Sequence, residues 1–277
     1  MLSLPFAIAV FGAGVLAGGV GGLLGLGGGV FLVPILNLAL GFPLRTAAAI
    51  SLATVIAASS SVSAAASRAG ADLINLRLGT VLETTTVAGS LTGGLLAHRF
   101  AETTLQRFFG VMAIVMAAAV FARAGRRNVI LDPAIDTGRL GGRFHDRPSG
   151  GVVSYRVRRL PLALGASFVA GGVSSLLGVG GGIIKVPVLN AWCGVPLRVA
   201  SSTSAYMIGV TALSGAIIYY GRGDLAPLIA APAVLGVQLG SRAGLHVAER
   251  APAMWLKILL GIILLIVAAL MFARSLT

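Results

Sequence analysis

The chain has 277 residues, of which 57% are hydrophobic and 10% charged. A water-soluble domain carries about 25% charged residues, so the composition excludes a soluble globular fold and points to the bilayer. The formal net charge of +13 does not mark a nucleic-acid binder, because nine of the 21 basic residues fall between Arg123 and Arg159, in one hydrophilic stretch.

Apolar runs long enough to cross a bilayer, about 20 residues, occur at 5–24, 46–67, 78–98, 106–123, 160–178, 200–220, 225–245 and 254–273. They are built on Leu, Val, Ile and Ala with embedded Gly. Alternating ten-residue barrel strands are absent, so the chain reads as an all-α polytopic membrane protein. The first run lacks the basic flank and cleavage site of a removed signal peptide, and it is too long for one.

Two of these segments repeat. Residues 18–45 read GGVGGLLGLGGGVFLVPILNLALGFPLR and residues 171–198 read GGVSSLLGVGGGIIKVPVLNAWCGVPLR, with 17 of 28 positions identical and no gap. Weaker echoes follow: Asp72-Leu73 with Asp224-Leu225, Ala101-Glu102 with Ala248-Glu249, and Phe121-Ala122-Arg123 with Phe272-Ala273-Arg274. An internal repeat sets the architecture. It predicts a first transmembrane repeat at 1–123, an arginine-rich cytoplasmic linker at 124–159 and a second repeat at 160–277. Each repeat is expected to hold one glycine-broken segment and three spans.

The orientation of the repeats depends on the broken segment. After Gly29, the 11 residues 30–40 cover about half of the hydrocarbon core at about 1.5 Å each. If this piece completes a return crossing, each half crosses five times and the repeats are inverted; if it dips, they are parallel. Basic loops stay on the cytoplasmic side. With the central loop inside, inversion also puts Arg198, Arg242, Arg250 and Lys257 inside, so inverted repeats with both termini outside are expected. The linker, without apolar periodicity, is expected to be mobile, with anionic-lipid contact as a secondary role.

Three adjacent glycines in a span are costly, each by about 1 kcal/mol against Ala. In lipid such a break persists where protein or a water-filled cavity satisfies the freed backbone groups. Freed N–H groups and a half-helix N-terminus attract anions. The four-residue spacing of Gly14, Gly18 and Gly22, and of Gly236, Gly240 and Gly244, instead marks close helix packing. The second face could equally serve a homodimer. The doubled Gly27-Gly28-Gly29 and Gly180-Gly181-Gly182, each followed by a proline, are therefore candidate substrate-binding backbone.

Side chains around the breaks suit an anion. Lys185 is a charged residue inside a span, which is expensive and usually faces a cavity or a partner; its counterpart Leu32 is apolar. Arg45 and Arg198 open hydroxyl-bearing spans, the second with Ser201, Ser202, Thr203 and Ser204. A guanidinium can hold a carboxylate or sulfonate in a bidentate fork, or it can anchor at the interface. Asn37 and Asn190 could cap the broken segment or touch substrate. Glu83, the one carboxylate well inside a span, is a proton-coupling candidate, or a partner for Arg77 or Lys185. His98, His145 and His246 lack metal-ligand spacing, and no Ser–His–acid grouping suggests hydrolysis. Cys193 stands alone, which leaves no disulfide framework or cysteine-rich metal site. No cofactor is implied, and an enzyme is the least supported class.

The pair GLGGGVFLVPIL and GVGGGIIKVPVL, in two four-span halves joined by a polar loop, resembles the TauE/SafE family of sulfite and organosulfonate permeases over nearly the whole chain. The resemblance implies a multi-pass protein of the bacterial inner membrane that moves small sulfur-containing or related organic anions, commonly by export, without ATP hydrolysis. The arginine-rich loop of about 36 residues is longer than the family core needs. A passive anion channel built on the same breaks, or a membrane scaffold or sensor acting through that loop, are the other classes in play.

Overall fold

The computed structural model describes residues 4–24, 28–68, 73–122, 137–146, 151–248 and 253–276. In chain order the elements are α1 (Leu4–Leu24), α2 (Gly29–Pro34, continued as a π-helical turn over Ile35–Ala39), α3 (Leu44–Arg68), α4 (Leu76–Ala97) and α5 (Glu102–Ala122). A hairpin of β1 (Gly142–Asp146) and β2 (Gly151–Tyr155) follows. Then come α6 (Leu160–Leu177), α7 (Gly182–Ala191), α8 (Leu197–Gly221), α9 (Pro227–Ala248) and α10 (Ala253–Arg274). Each apolar run of the sequence lies on a helix.

Among the described residues, three stretches are long and apolar enough to cross a membrane by length and composition: Leu4–Leu23, Leu160–Leu177 and Arg198–Gly221. Other long helices carry Gly, Ser and Thr toward their neighbours and keep large apolar side chains outward. Val111, Ile114 and Val115 on α5, Leu235 and Leu239 on α9, and Ile258, Ile262, Leu265 and Ile266 on α10 are all exposed. Contiguous apolar surface of this kind meets lipid rather than water.

The glycine stripes pack inside the chain. A Cβ on Gly14 would sit 2.6 Å from the Ala233 carbonyl oxygen, one on Gly18 2.5 Å from that of Val237, and one on Gly22 2.4 Å from that of Ser241. Both sequences ascend together, so α1 and α9 run parallel with their backbones in contact. The same seam joins α4 to α6, where a Cβ on Gly89 or Gly93 would meet the carbonyl oxygen of Phe168 or Gly172 at 1.9 or 2.2 Å. Without a hydrophobic drive between helices in lipid, such close approach supplies the packing energy.

Two pairs of equivalent helices run antiparallel. Gly209 faces Ser59 while Gly215 faces Leu52, which opposes α8 to α3; Gly110 faces Phe272 while Gly261 faces Phe121, which opposes α10 to α5. The seams also fix the register between the halves. Gly89 stands to Phe168 as Gly240 to Val15, and Gly93 to Gly172 as Gly244 to Gly19. Residues of α4 and α9 therefore correspond at an offset of 151, in step with the Phe121/Phe272 echo. The Ala101-Glu102 echo is out of this register.

The linker departs from the expected mobile segment. Phe144, Val153 and Tyr155 of the hairpin are buried in one apolar cluster with Leu78 and Leu82 of α4, Leu189 of α7, and Val199 and Met207 of α8. Tyr155 accepts a 2.9 Å hydrogen bond from Asn75 Nδ2, and the same amide donates to the Leu140 carbonyl at 2.7 Å. Burial pushes the Tyr155 phenol up from its usual range, so it stays a neutral hydroxyl. A two-residue period over so short a stretch is hidden among arginines, which is why it was not read as strand. Positions 123–136 and 147–150 of the linker lie outside the described residues.

Leucine at Gly240 or Gly93 is expected to abolish the monodisperse peak in detergent size-exclusion chromatography. Alanine at Gly12 or Gly165, where a Cβ meets nothing within 4 Å, is expected to leave the peak in place.

Candidate functional site

The two glycine breaks meet. Ser51 of α3 donates to the Gly178 carbonyl at 2.6 Å, with the Gly29 carbonyl 3.2 Å away as a second acceptor. One buried hydroxyl thus serves freed carbonyls from both halves, 149 positions apart in sequence (178 − 29). Gly178 and Gly180 hold φ of 70° and 83°, a left-handed conformation that disfavours any side chain. Gly178 also has no room for one, since its Cβ would lie 2.6 Å from the Ala48 Cα. Gly28 and Gly29 start α2 beside Gly18 and Ser51, and Gly181 and Gly182 start α7 beside Ala170 and Ser204. Gly27 lies outside the described residues.

Lys185 is on the first turn of α7 and only 1% exposed. Its Nζ lies 3.8 Å from Glu83 Oε2 and donates to Thr211 Oγ1 at 3.4 Å. Thr211 Oγ1 in turn donates to Glu83 Oε1 at 2.8 Å, with the Met207 carbonyl at 3.1 Å as its alternative acceptor. Three helices, α4, α7 and α8, thereby place an ammonium, a hydroxyl and a carboxylate in one buried group. Of the expected partners for Glu83, the structure brings up Lys185.

This group is only loosely satisfied. An ammonium offers three donors, yet its contacts are one long hydrogen bond and a carboxylate oxygen at 3.8 Å. Glu83 Oε2 is buried without a hydrogen-bond partner, as are the hydroxyl oxygens of Ser174, Ser175 and Ser204. Ser204 sits beside Gly182, and Ser175 fits into space left by Gly94 on α4 and Gly215 on α8. Buried polar atoms are normally paired. The unpaired Glu83 oxygen and the loosely held Lys185 ammonium suit a polar ligand.

The other expected site residues are held by the chain itself. Arg45 donates to the carbonyls of Ala97 at 3.2 Å and Phe100 at 2.6 Å, closing the C-terminus of α4. Asn37 donates to the Phe42 carbonyl at 2.7 Å and Asn190 to the Val195 carbonyl at 3.0 Å, five residues on in each case. Both amides therefore clip the turn that ends their broken segment. Thr203 accepts from the Asn75 backbone at 3.0 Å. Ser201 and Arg198 are exposed at the start of α8, with Ser202 half-buried.

Sequence reasoning missed Thr211, whose lone hydroxyl in a long span has no distinguishing spacing, and Ser174 and Ser175, which have none either. It also missed a second polar group at the opposite end of α4. There His98 Nε2 meets Asp224 Oδ2 at 2.6 Å, and its ring packs at a tilt of 44° against Tyr219 with centroids 5.4 Å apart. Tyr219 donates to the Ser175 carbonyl at 3.0 Å. No group of three or more potential metal ligands occurs among the described residues.

The site exists once. The repeat offset of 153 matches Lys185 with Leu32, Thr211 with Ala58, and Ser174 and Ser175 with Gly21 and Gly22; the α4–α9 register matches Glu83 with Val234. Leu32 and Ala58 are buried in the apolar core. Ser51 and Ser204 are the pair that both halves keep.

A buried cation beside glycine-broken half-helices in a duplicated bundle of apolar helices is the layout of a transport protein. A family model described as "Sulfite exporter TauE/SafE" matches residues 10–271. The chain belongs to the TauE/SafE family. It is also similar to the "Probable membrane transporter protein YunE" of Bacillus subtilis (strain 168), 23% identical over 261 residues, which covers 92% of this chain and 93% of that protein. No solved structure matches. The family and the apolar helices make this a membrane protein of a transporter family with a small-molecule substrate. In this TauE/SafE chain the second glycine break is what brings Lys185 to the start of a half-helix.

Thr211→Val is expected to lower stability by about 1–3 kcal/mol, the cost of leaving buried partners unsatisfied, while Thr211→Ser restores most of it. Thermal unfolding of the detergent-solubilised protein reads both.

Proposed function

We propose that this chain is a secondary transporter, an exporter of the bacterial inner membrane, for small sulfur-containing or organic anions such as sulfite or sulfonates. The observation that carries the reading is Lys185: a fully buried ammonium, incompletely partnered, at the N-terminus of a half-helix. An anion bound there gains a countercharge from Lys185, the first-turn N–H groups of α7 that follow Gly180–Gly182, and the Ser204 hydroxyl. Trigonal or tetrahedral oxyanions offer several acceptors to such convergent donors, whereas a cation would meet the positive half-helix end.

Alternating access follows from the two-halved build. We read the halves, 1–123 and 160–277, as inverted repeats around the linker 124–159. The antiparallel approach of α3 to α8 and of α5 to α10 supports this, because equivalent helices related by an axis in the membrane plane must run oppositely. The broken segments then enter from opposite faces and touch at Ser51. Rocking one half against the other would expose the anion to each side in turn. The hairpin and its arginines lie on the cytoplasmic side in this reading.

Radiolabelled flux into proteoliposomes tests the function, with sulfite, an alkylsulfonate and lactate as probes. Saturable flux of a sulfur anion with strong counterflow exchange is expected. Lys185→Ala should cut it by about ten- to a hundredfold, the equivalent of one charged hydrogen bond of about 1.5–3 kcal/mol. Gly181→Leu should abolish it. Flux that never saturates and shows no exchange would mean a passive channel.

A further inference from the structure

We propose that each anion crosses together with one proton, taken up by Glu83 when the anion displaces it from Lys185. The inference rests on the anion site at Lys185 and adds its coupling. In the observed state Glu83 is the countercharge of Lys185, at 3.8 Å, and Thr211 bridges the two. An anion seated on Lys185 would add a second negative charge to a buried group that holds one positive charge. Two like charges in one desolvated pocket do not both stay ionised.

Among the described residues no other charged side chain acts on Glu83 or Lys185, and the hairpin packed on Leu78 and Leu82 brings Tyr155, whose hydroxyl is held by Asn75. The helices packed on this stretch of α4 are α6 and α8, and α7 contributes Lys185. α6 has no titratable side chain, and α7 has Lys185 alone. On α8, Arg198 is exposed in the first turn, Tyr206 and Tyr220 are exposed, and Tyr219 is engaged with Ser175 and packed at a tilt against His98. On α4 itself, Arg77 is exposed at the N-terminal turn and His98 caps the other end, paired with Asp224. The neutralising proton therefore goes to Glu83.

The geometry provides a place for it. Glu83 Oε1 is held by the Thr211 hydroxyl, while Oε2 is buried without a partner. A proton from water on the entry side binds Oε2 and forms one O–H bond; no other bond changes, and Lys185 keeps all its protons. The carboxylic acid then donates where the carboxylate could only accept, toward the anion that has taken its place on Lys185. On the release side the anion leaves, Oε2 returns its proton to water, and the carboxylate recovers Lys185. Because Val234, Leu32 and Ala58 occupy the equivalent positions, each chain runs one such exchange. A monoanion then moves without net charge, so export follows the anion's own outward concentration gradient and draws nothing from the membrane potential.

The test uses the full-length protein in proteoliposomes with methanesulfonate, a permanent monoanion that carries no proton of its own. A trapped pH dye is expected to report one proton entering per anion, with the ratio near one. A pH gradient, acid outside, should drive accumulation, and a valinomycin-set potential should not change the rate. Glu83→Gln should lose gradient-driven accumulation, and its remaining exchange should lose its pH dependence. The wild-type stoichiometry stands even if that variant does not fold. Saturable methanesulfonate flux without accompanying protons, or flux driven by potential alone, would overturn the coupling and leave the transporter reading intact. No saturable flux of any probe anion by folded wild-type protein would overturn both.

Discussion

A broken helix inside an apolar bundle must find partners for the backbone groups it frees, since the surroundings supply no water. Here that requirement is met at one point, the Ser51 hydroxyl between the carbonyls of Gly29 and Gly178. The arrangement needs glycine on both sides: left-handed backbone at Gly178 and Gly180, and less than a Cβ of clearance at Gly29 and Gly178. It also needs the parallel glycine seams of α1 with α9 and α4 with α6, which draw the breaks together by letting backbones touch. The site at the head of α7 depends on this junction, because a half-helix presents its N-terminus to the interior only where the preceding helix stops there.

The duplicated scaffold and the chemistry obey different rules. Residues that shape the breaks recur in both halves: Asn37 and Asn190 clip their turns, Ser51 and Ser204 lie beside Gly29 and Gly182, and the glycines repeat. Charge occurs once, as a pair, with Glu83 from the first half and Lys185 from the second. A second ammonium and carboxylate would add another desolvation penalty of several kcal/mol per ion, and the apolar Leu32, Ala58 and Val234 avoid it. A pseudo-symmetric frame with one asymmetric polar group can move as two bodies yet bind at one place.

Contacts at the two ends of the bundle tie this core to its surroundings. At one end Asn75 caps α4, bonds the hairpin through Tyr155, and donates its backbone N–H to Thr203 of α8. Asn75 thus joins the two helices that carry Glu83 and Thr211. At the other end His98 pairs with Asp224 beside Tyr219. The hairpin of the arginine-rich linker therefore belongs to the helix assembly: it buries three side chains against helices of both halves.

Much of this was legible in the sequence. The long apolar runs specify helices, because only a helix satisfies its own backbone in lipid. Repetition and glycine spacing specify two broken segments and two close-packed stripes, because those patterns are local and periodic. The oddness of Lys185 and Glu83 within spans marked them before any contact was known. Their union with Thr211 was not legible, nor was the coupling of Ser51 to both breaks, the hairpin's docking or the His98–Asp224 pair. Those contacts join residues separated by 26 to 128 positions. A hydrogen bond depends on distances of a few tenths of an ångström, which helix crossing and register set and which no one-dimensional spacing records. The sequence by itself determined the membrane helices, the duplication and the places where backbone had to break. Only the tertiary packing decided which polar groups meet, because each contact is made by helices from distant parts of the chain.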